Sequence, residues 1–178
     1  MIVIVMGVSG SGKSSLGQAL AAKMDWTFIE GDDRHPAANR AKMAAGIPLS
    51  DADRWPWLDA LAAEATRIEA EGGTPVLACS ALRRAYRERL RASGSHVCFL
   101  HLTGPRETIA GRMAKRTGHY MPLALLDSQL ATLEPAAADE MDVWTLPIDA
   151  PVEQIAEKVA AAFTSTTSIG SPLLNISR

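Results

Sequence analysis

The chain has 178 residues, 47% of them hydrophobic and 21% charged, enough to bury one good core and hardly two, so a single domain is expected. Its 18 basic and 20 acidic residues leave a formal charge of −2, which excludes a global field for holding nucleic acid or an anionic membrane and favours a small-molecule partner. No apolar run reaches the length of a bilayer span, and the opening stretch 2–6 runs at once into glycines, unlike a signal peptide, so a cytoplasmic protein is expected.

Apolar bursts of strand length fall at residues 2–6, 27–29, 76–79, 97–102 and 143–148, with helical patterns between them. That alternation predicts a parallel sheet covered on both faces. The helix after the first strand carries Leu16, Leu20 and Met24 as one buried stripe. A short helix follows from Pro36 to Ala45, with proline inside its start and Gly46 past its end. A longer one starts near Asp53 and buries Leu58, Leu61, Ala65 and Ile68 before Gly72-Gly73 stops it. Later helices begin near Leu82, at Pro105 and at Pro122, and the last covers 152–163 with Ile155 and Val159 inward. From 164 to 178 the chain turns Ser/Thr-rich and loses periodicity, which predicts a mobile tail whose apolar Pro172-Leu173-Leu174 could dock.

The strongest chemical signal is Gly7-Val8-Ser9-Gly10-Ser11-Gly12-Lys13-Ser14, a full match to G-x-x-x-x-G-K-[ST] placed directly after a strand and before a helix. In that setting backbone N–H groups and a helix N-terminus, with Ser15 in its first turn, can wrap a polyphosphate. Lys13 would place its ammonium on the β/γ oxygens and Ser14 would offer a hydroxyl to Mg²⁺.

A phosphate loop alone does not separate a kinase from a switch or a motor. The second strand ends in Glu30-Gly31-Asp32-Asp33, which puts carboxylates at the sheet edge where ligands bind in such folds. Asp32, or its neighbour Asp33, could hold Mg²⁺ through water or accept a proton from an acceptor hydroxyl. No N-K-x-D guanine signature occurs, and no later strand ends in the Asp-Glu pattern of motor ATPases. Arg112 and Arg116 lie four apart on the helix from Pro105, followed by Gly118-His119-Tyr120-Met121. Paired arginines on a mobile flap would neutralise charge on a moving phosphoryl group. Their alternative is a solvated helix face.

With these residues the chain resembles the gluconate kinases, small relatives of shikimate kinase and the nucleoside monophosphate kinases. The likeness spans roughly 2–163 and rests on the phosphate loop, on Gly31-Asp32 with His35-Pro36 and Asn39, and on Lys42-Met43 with Gly46 and Pro48-Leu49. It continues through Asp53-Arg54 with Pro56-Trp57-Leu58, Cys79-Ser80-Ala81-Leu82 with Tyr86-Arg87, and Arg112 with Gly118-His119 and Met121. Asp-x-x-His-Pro and Pro-Trp-Leu are the specific elements. Arg83 departs from the pattern, standing where lysine is common, and the tail has no counterpart. The resemblance implies an α/β three-layer sandwich with a five-stranded parallel sheet in order 2-3-1-4-5. It also implies ATP with Mg²⁺, transfer to the 6-hydroxyl of D-gluconate, and a homodimer. In that sheet order Cys79 and Cys98 flank the first strand on opposite sides, beyond disulfide reach, and read as buried thiols.

The implied organisation is one kinase domain over 1–163, with an acceptor-binding region about 34–72 and a lid about 112–134. An aldonic acid needs a cation for its carboxylate and neutral partners for its hydroxyls. His35, Asn39, Lys42 and Arg54 are available in the acceptor region, with Arg83 and Arg87 beyond the third strand and His119 in the lid. Arg54 could instead pair with Asp51, and the arginines from Arg83 to Arg91 could form a solvated face. His96 and His101 read as structural. A shikimate-type or other small-metabolite kinase, and a non-enzymatic ATP-binding switch, are the competing readings.

Overall fold

The computed structural model describes residues 1–93, 96–115 and 123–167. Five strands, β1 (Ile2–Met6), β2 (Thr27–Glu30), β3 (Pro75–Ala78), β4 (Val97–Thr103) and β5 (Val143–Pro147), pair in parallel in the order β2-β3-β1-β4-β5. This is the expected order. Every residue of β1 is buried, because helices cover both faces of the central strand. Its side chains alternate between two cores. Val3 and Val5 face the core built with Leu16, Leu20, Val159 and Phe163, whereas Ile2, Ile4 and Met6 face Trp57, Leu58, Leu61 and Tyr86.

The helices are α1 (Lys13–Met24), α2 (Ala37–Ala44), α3 (Asp51–Ala70), α4 (Arg84–Arg91), α5 (Arg106–Ala114), α6 (Leu123–Thr132) and α7 (Val152–Thr167). Among the boundaries that differ from the sequence expectation, three have clear local reasons. Helix α3 begins two residues early because Ser50 caps it: the Ser50 hydroxyl accepts from the Asp53 N–H, and the Asp53 carboxylate accepts from the Ser50 N–H. Helix α2 starts after Pro36, which sits at its cap. Helix α7 continues four residues past Phe163, with the Thr164 and Ser165 hydroxyls donating to the carbonyls of Ala160 and Ala161. The rest of the expected tail lies outside the described residues.

Cys79 and Cys98 are free, and burial pushes both thiols up to about 12. His101 is 6% exposed in β4 and its Nε2 has no partner. Burial, helped by the nearby Arg87 charge, pulls its pKa down to about 4. A folded value below the unfolded one means that the native state resists protonation. The stability of the protein should therefore fall as pH drops from about 6.5 towards 4, by about 3 kcal/mol from this group. Melting temperatures across that range, for the parent and His101→Leu, check this: the variant should lose that part of the slope, and parallel lines would discount the histidine.

Candidate active site

At the carboxyl edge of the sheet the phosphate loop turns from β1 into α1. Its glycines do conformational work that other residues cannot. Gly10 has φ +80, and a Cβ there would stand 2.4 Å from Met113 Cγ and 3.2 Å from Ile109, so the loop is wedged against α5 by close backbone approach. Lys13 Nζ donates to the Val8 carbonyl at 3.1 Å, folding the side chain back over the loop.

Residues of the loop line two cavities. On one side lies a space of about 310 Å³ lined by Gly10, Ser11, Gly12, Ser15, Leu16, Leu102, Arg112, Ile148, Ala150, Pro151, Val152 and Ile155. Its volume and mixed lining suit a nucleotide. Arg112 reaches across it, donating to the Ile148 carbonyl at 2.7 Å and to the Ser11 carbonyl at 3.4 Å. The guanidinium expected to act on the moving phosphoryl thus lines the nucleotide side. Arg116 and His119, the other expected lid residues, lie outside the described residues.

On the other side a narrower cavity, about 110 Å³, is lined by Ser9, Lys13, Asp32, His35, Met43, Ile47, Pro48, Leu49, Asp51, Arg54, Ser80, Leu82, Arg83, Tyr86, Leu125, Ser128, Gln129 and Thr132. Asp32 reaches it because Gly31, just past β2, continues the strand pairing, its N–H donating to the Ala78 carbonyl at 3.0 Å. A Cβ on Gly31 would stand 2.2 Å from that oxygen. Asp33, next in chain, is not among the lining residues.

The two specific sequence elements meet here. Trp57 Nε1 donates to the Gly31 carbonyl at 2.8 Å, and the Trp57 ring stacks on His35 with centroids 4.0 Å apart. His35 is buried, which pulls its pKa down to about 4 despite Asp32 nearby, so it is neutral at pH 7. With Asn39 Nδ2 donating to its Nδ1 at 3.4 Å, the proton resides on Nε2.

Several expected acceptor contacts have other duties. The Asn39 amide also donates to the Asp53 carbonyl at 2.8 Å. Lys42 pairs with both oxygens of Asp53, at 2.7 and 2.8 Å, and with Ser50 holds that carboxyl down at about 2. Together they lock α2 onto the start of α3. Neither lines the cavity. Arg87 is a correction: it is 0% exposed and forms a fork with Glu140 at 2.7 and 2.6 Å, while Nη1 faces the Ala81, Leu82 and Glu134 carbonyls. A guanidinium so enclosed cannot reach an acceptor. Its role is to hold the turn after β3, where Ala81 takes the left-handed φ of +43.

Arg83 and Arg54 do line the cavity, and their pairing differs. Arg83 is paired with Asp51, at 2.8 and 3.1 Å, and Asp51 also accepts from the Tyr86 hydroxyl at 2.6 Å. Arg54 therefore does not pair with Asp51. Its Nε is buried without a partner and its guanidinium lies 5.6 Å from the centre of the Tyr86 ring. Every other arginine among the described residues donates to a carboxylate or a carbonyl. Ser80, Tyr86, Ser128 and Gln129 also line the cavity; Ser80 and Tyr86 had entered only through the family resemblance, and Ser128 and Gln129 were missed. So was the 148–152 turn on the nucleotide side, although its place after the fifth strand was a usable signal.

Comparison with known proteins agrees with this geometry. The sequence model of a family described as AAA domain matches residues 2–136. The thermosensitive gluconokinase of Escherichia coli is 46% identical over 159 residues, covering 89% of this chain and 85% of its own. The gluconokinase of Gluconobacter oxydans is 48% identical over 139 residues, 78% of each chain. The crystal structure of a gluconokinase from Sinorhizobium meliloti superposes with a TM-score of 0.83 at 41% identity, covering 95% of this chain and 96% of that one.

Proposed function

Because the chain belongs to the gluconokinase family, we propose that it transfers the γ-phosphoryl group of ATP to the 6-hydroxyl of D-gluconate, giving 6-phospho-D-gluconate and ADP. The hydroxyl oxygen bonds to the γ-phosphorus, and the bond from that phosphorus to the bridging oxygen breaks with its electron pair leaving on ADP. The hydroxyl proton passes to Asp32, which lines the acceptor cavity with Lys13. Residues 7–15 hold the phosphates, Lys13 steadies the charge on the transferred group, and Arg112, with Arg116, adds positive charge from the nucleotide side.

Mg²⁺ fits the oxygen donors available. The Ser14 hydroxyl opens α1 and the Asp32 carboxylate is exposed at the same edge. No cluster of three His, Cys, Asp or Glu that could cage a metal occurs among the described residues, and Mg²⁺ is commonly held by one or two protein oxygens plus phosphates and water. When bound it would neutralise phosphate charge and orient it.

The observation that carries the acceptor assignment is Arg54. A partly buried cation without a counter-ion is costly in an empty site and favourable beneath an anionic substrate. Neutral His35 and the hydroxyls of Ser80 and Ser128 supply partners for a row of alcohols. In this reading Asn39 and Lys42 shape the pocket from behind, and residues 1–163 form one kinase domain with its acceptor region about 34–72 and lid about 112–134. We further propose a cytoplasmic homodimer with no nucleic-acid or membrane partner. Among the described residues no helix is long and apolar enough to cross a membrane.

ADP release with ATP, Mg²⁺ and gluconate, glucose or shikimate tests the reading. Gluconate should exceed glucose in kcat/KM by about 10⁴, since glucose leaves the Arg54 charge unpaired and its ring cannot follow the path of an open chain. Arg54→Ala should lower the gluconate value roughly 10- to 100-fold and leave glucose nearly unchanged. Equal use of gluconate and glucose would sink the charge argument. A preference for shikimate would move the protein to that neighbouring activity, and nucleotide binding without transfer to any acid would favour a switch.

A further inference from the structure

Gln129 grips Ser9 with both ends of its carboxamide. Its Oε1 accepts from the Ser9 backbone N–H at 2.7 Å, and its Nε2 donates to the Ser9 hydroxyl at 3.1 Å. The residues are 120 positions apart, so the contact ties two otherwise separate parts of the chain. Backbone N–H groups of a phosphate loop normally serve polyphosphate oxygens. This one points away from the nucleotide cavity to a side chain that lines the acceptor cavity.

Helix α6 has two further ties to its neighbours. Arg106 on α5 forks onto Asp127 at 2.6 and 2.9 Å, and just past the helix the Glu134 N–H donates to the Leu82 carbonyl at 2.8 Å. Core packing does not require an amide at 129: Gln129 is half-buried, and among the described side chains of this helix Leu126 is the one fully buried. Both ends of the amide serve the loop, with its oxygen and one of its donors committed to a single residue.

We propose that Gln129 is a positioning residue that fixes the acceptor-side edge of the phosphate loop through Ser9, so that the phosphoryl group passes to a bound acceptor hydroxyl and not to water. The inference rests on the gluconate-kinase reading. Ser9 stands where the two cavities adjoin, and a misplacement of about 1 Å between reacting groups commonly costs about 10² in rate. Water tolerates such misplacement because it is small and abundant, whereas a held hydroxyl does not.

The test compares the parent protein with Gln129→Ala and Gln129→Glu, measuring ADP and 6-phosphogluconate in the same reaction. Gln129→Ala should raise the KM for gluconate about tenfold or more, keep the KM for ATP within about threefold, and release several ADP per product, against one for the parent. Gln129→Glu should stay close to one ADP per product. A carboxylate accepts from both the Ser9 N–H and its hydroxyl, so the grip survives while ATP binds more weakly through charge repulsion. Gln129→Ala with one ADP per product, or equal uncoupling in both variants, would overturn the inference while leaving the gluconate reading intact. A parent protein that makes no 6-phosphogluconate would overturn the acceptor reading, and the inference with it.

Discussion

Lys13→Ala should lose turnover by about 10² to 10³ while the protein stays folded. The ammonium is the one cation that lines the acceptor cavity and belongs to the phosphate loop as well, so it is placed where charge moves as the phosphoryl group leaves ADP. Preorganised donors in such sites are worth about 3 to 4 kcal/mol in the transition state. Its contribution to packing is slight by comparison: Lys13 begins α1, whereas the buried stripe of that helix is Leu16, Gly17, Leu20 and Ala21. Single-turnover transfer and a thermal melt on the same preparation check both halves. Turnover above about a tenth of the parent's would contradict the role, and a collapsed melting temperature would move Lys13 from chemistry to structure.

Asp32→Asn should cost turnover about 10² to 10⁴, and Asp33→Asn should cost little. The two are adjacent and chemically alike, so the difference lies in placement. Both belong to the single 3₁₀ turn after β2, and Asp32 lines the cavity that Lys13 enters. Asp33 is absent from that wall and acts electrostatically on Arg34, whose guanidinium is already forked onto Glu64 at 2.7 and 2.8 Å. An amide at 32 can neither take the acceptor proton nor hold a hydrated metal ion as a carboxylate does. Measuring kcat for both variants with saturating ATP separates them. An inactive Asp33→Asn beside an active Asp32→Asn would move the role by one residue.

What could be read beforehand was whatever depends on neighbours in sequence. The phosphate loop is encoded by glycines at fixed spacing between a strand and a helix, and the sheet order followed from the family resemblance. Asp32 was readable because it ends a strand on the edge where ligands bind. The roles of the arginines were not, since each depends on which carboxylate the fold brings alongside. Arg87 and Glu140 are 53 residues apart and meet only once β3 and β5 are assembled. Arg54 drew attention as one of several cations, and it stands out only because Asp51 turns to Arg83 and Tyr86. Gln129 carried no signal at all, because a polar residue on a helix is unremarkable until its partner is known. The early start of α3 was missed for a smaller reason: Asp53 fills the place in the capping box where glutamate or glutamine is usual.

The phosphate loop that borders both cavities also constrains the timing and the stereochemistry of the reaction. With the donor and acceptor cavities adjoining at one loop, the phosphoryl group needs no carrier between them. Cys79, a strong nucleophile by type, is buried and kept protonated, and it lines neither cavity. Both substrates should then be present together in a ternary complex, and the steady-state rate law should be sequential, with intersecting double-reciprocal lines. With one displacement at phosphorus, a chiral γ-phosphoryl group should arrive on the sugar acid inverted.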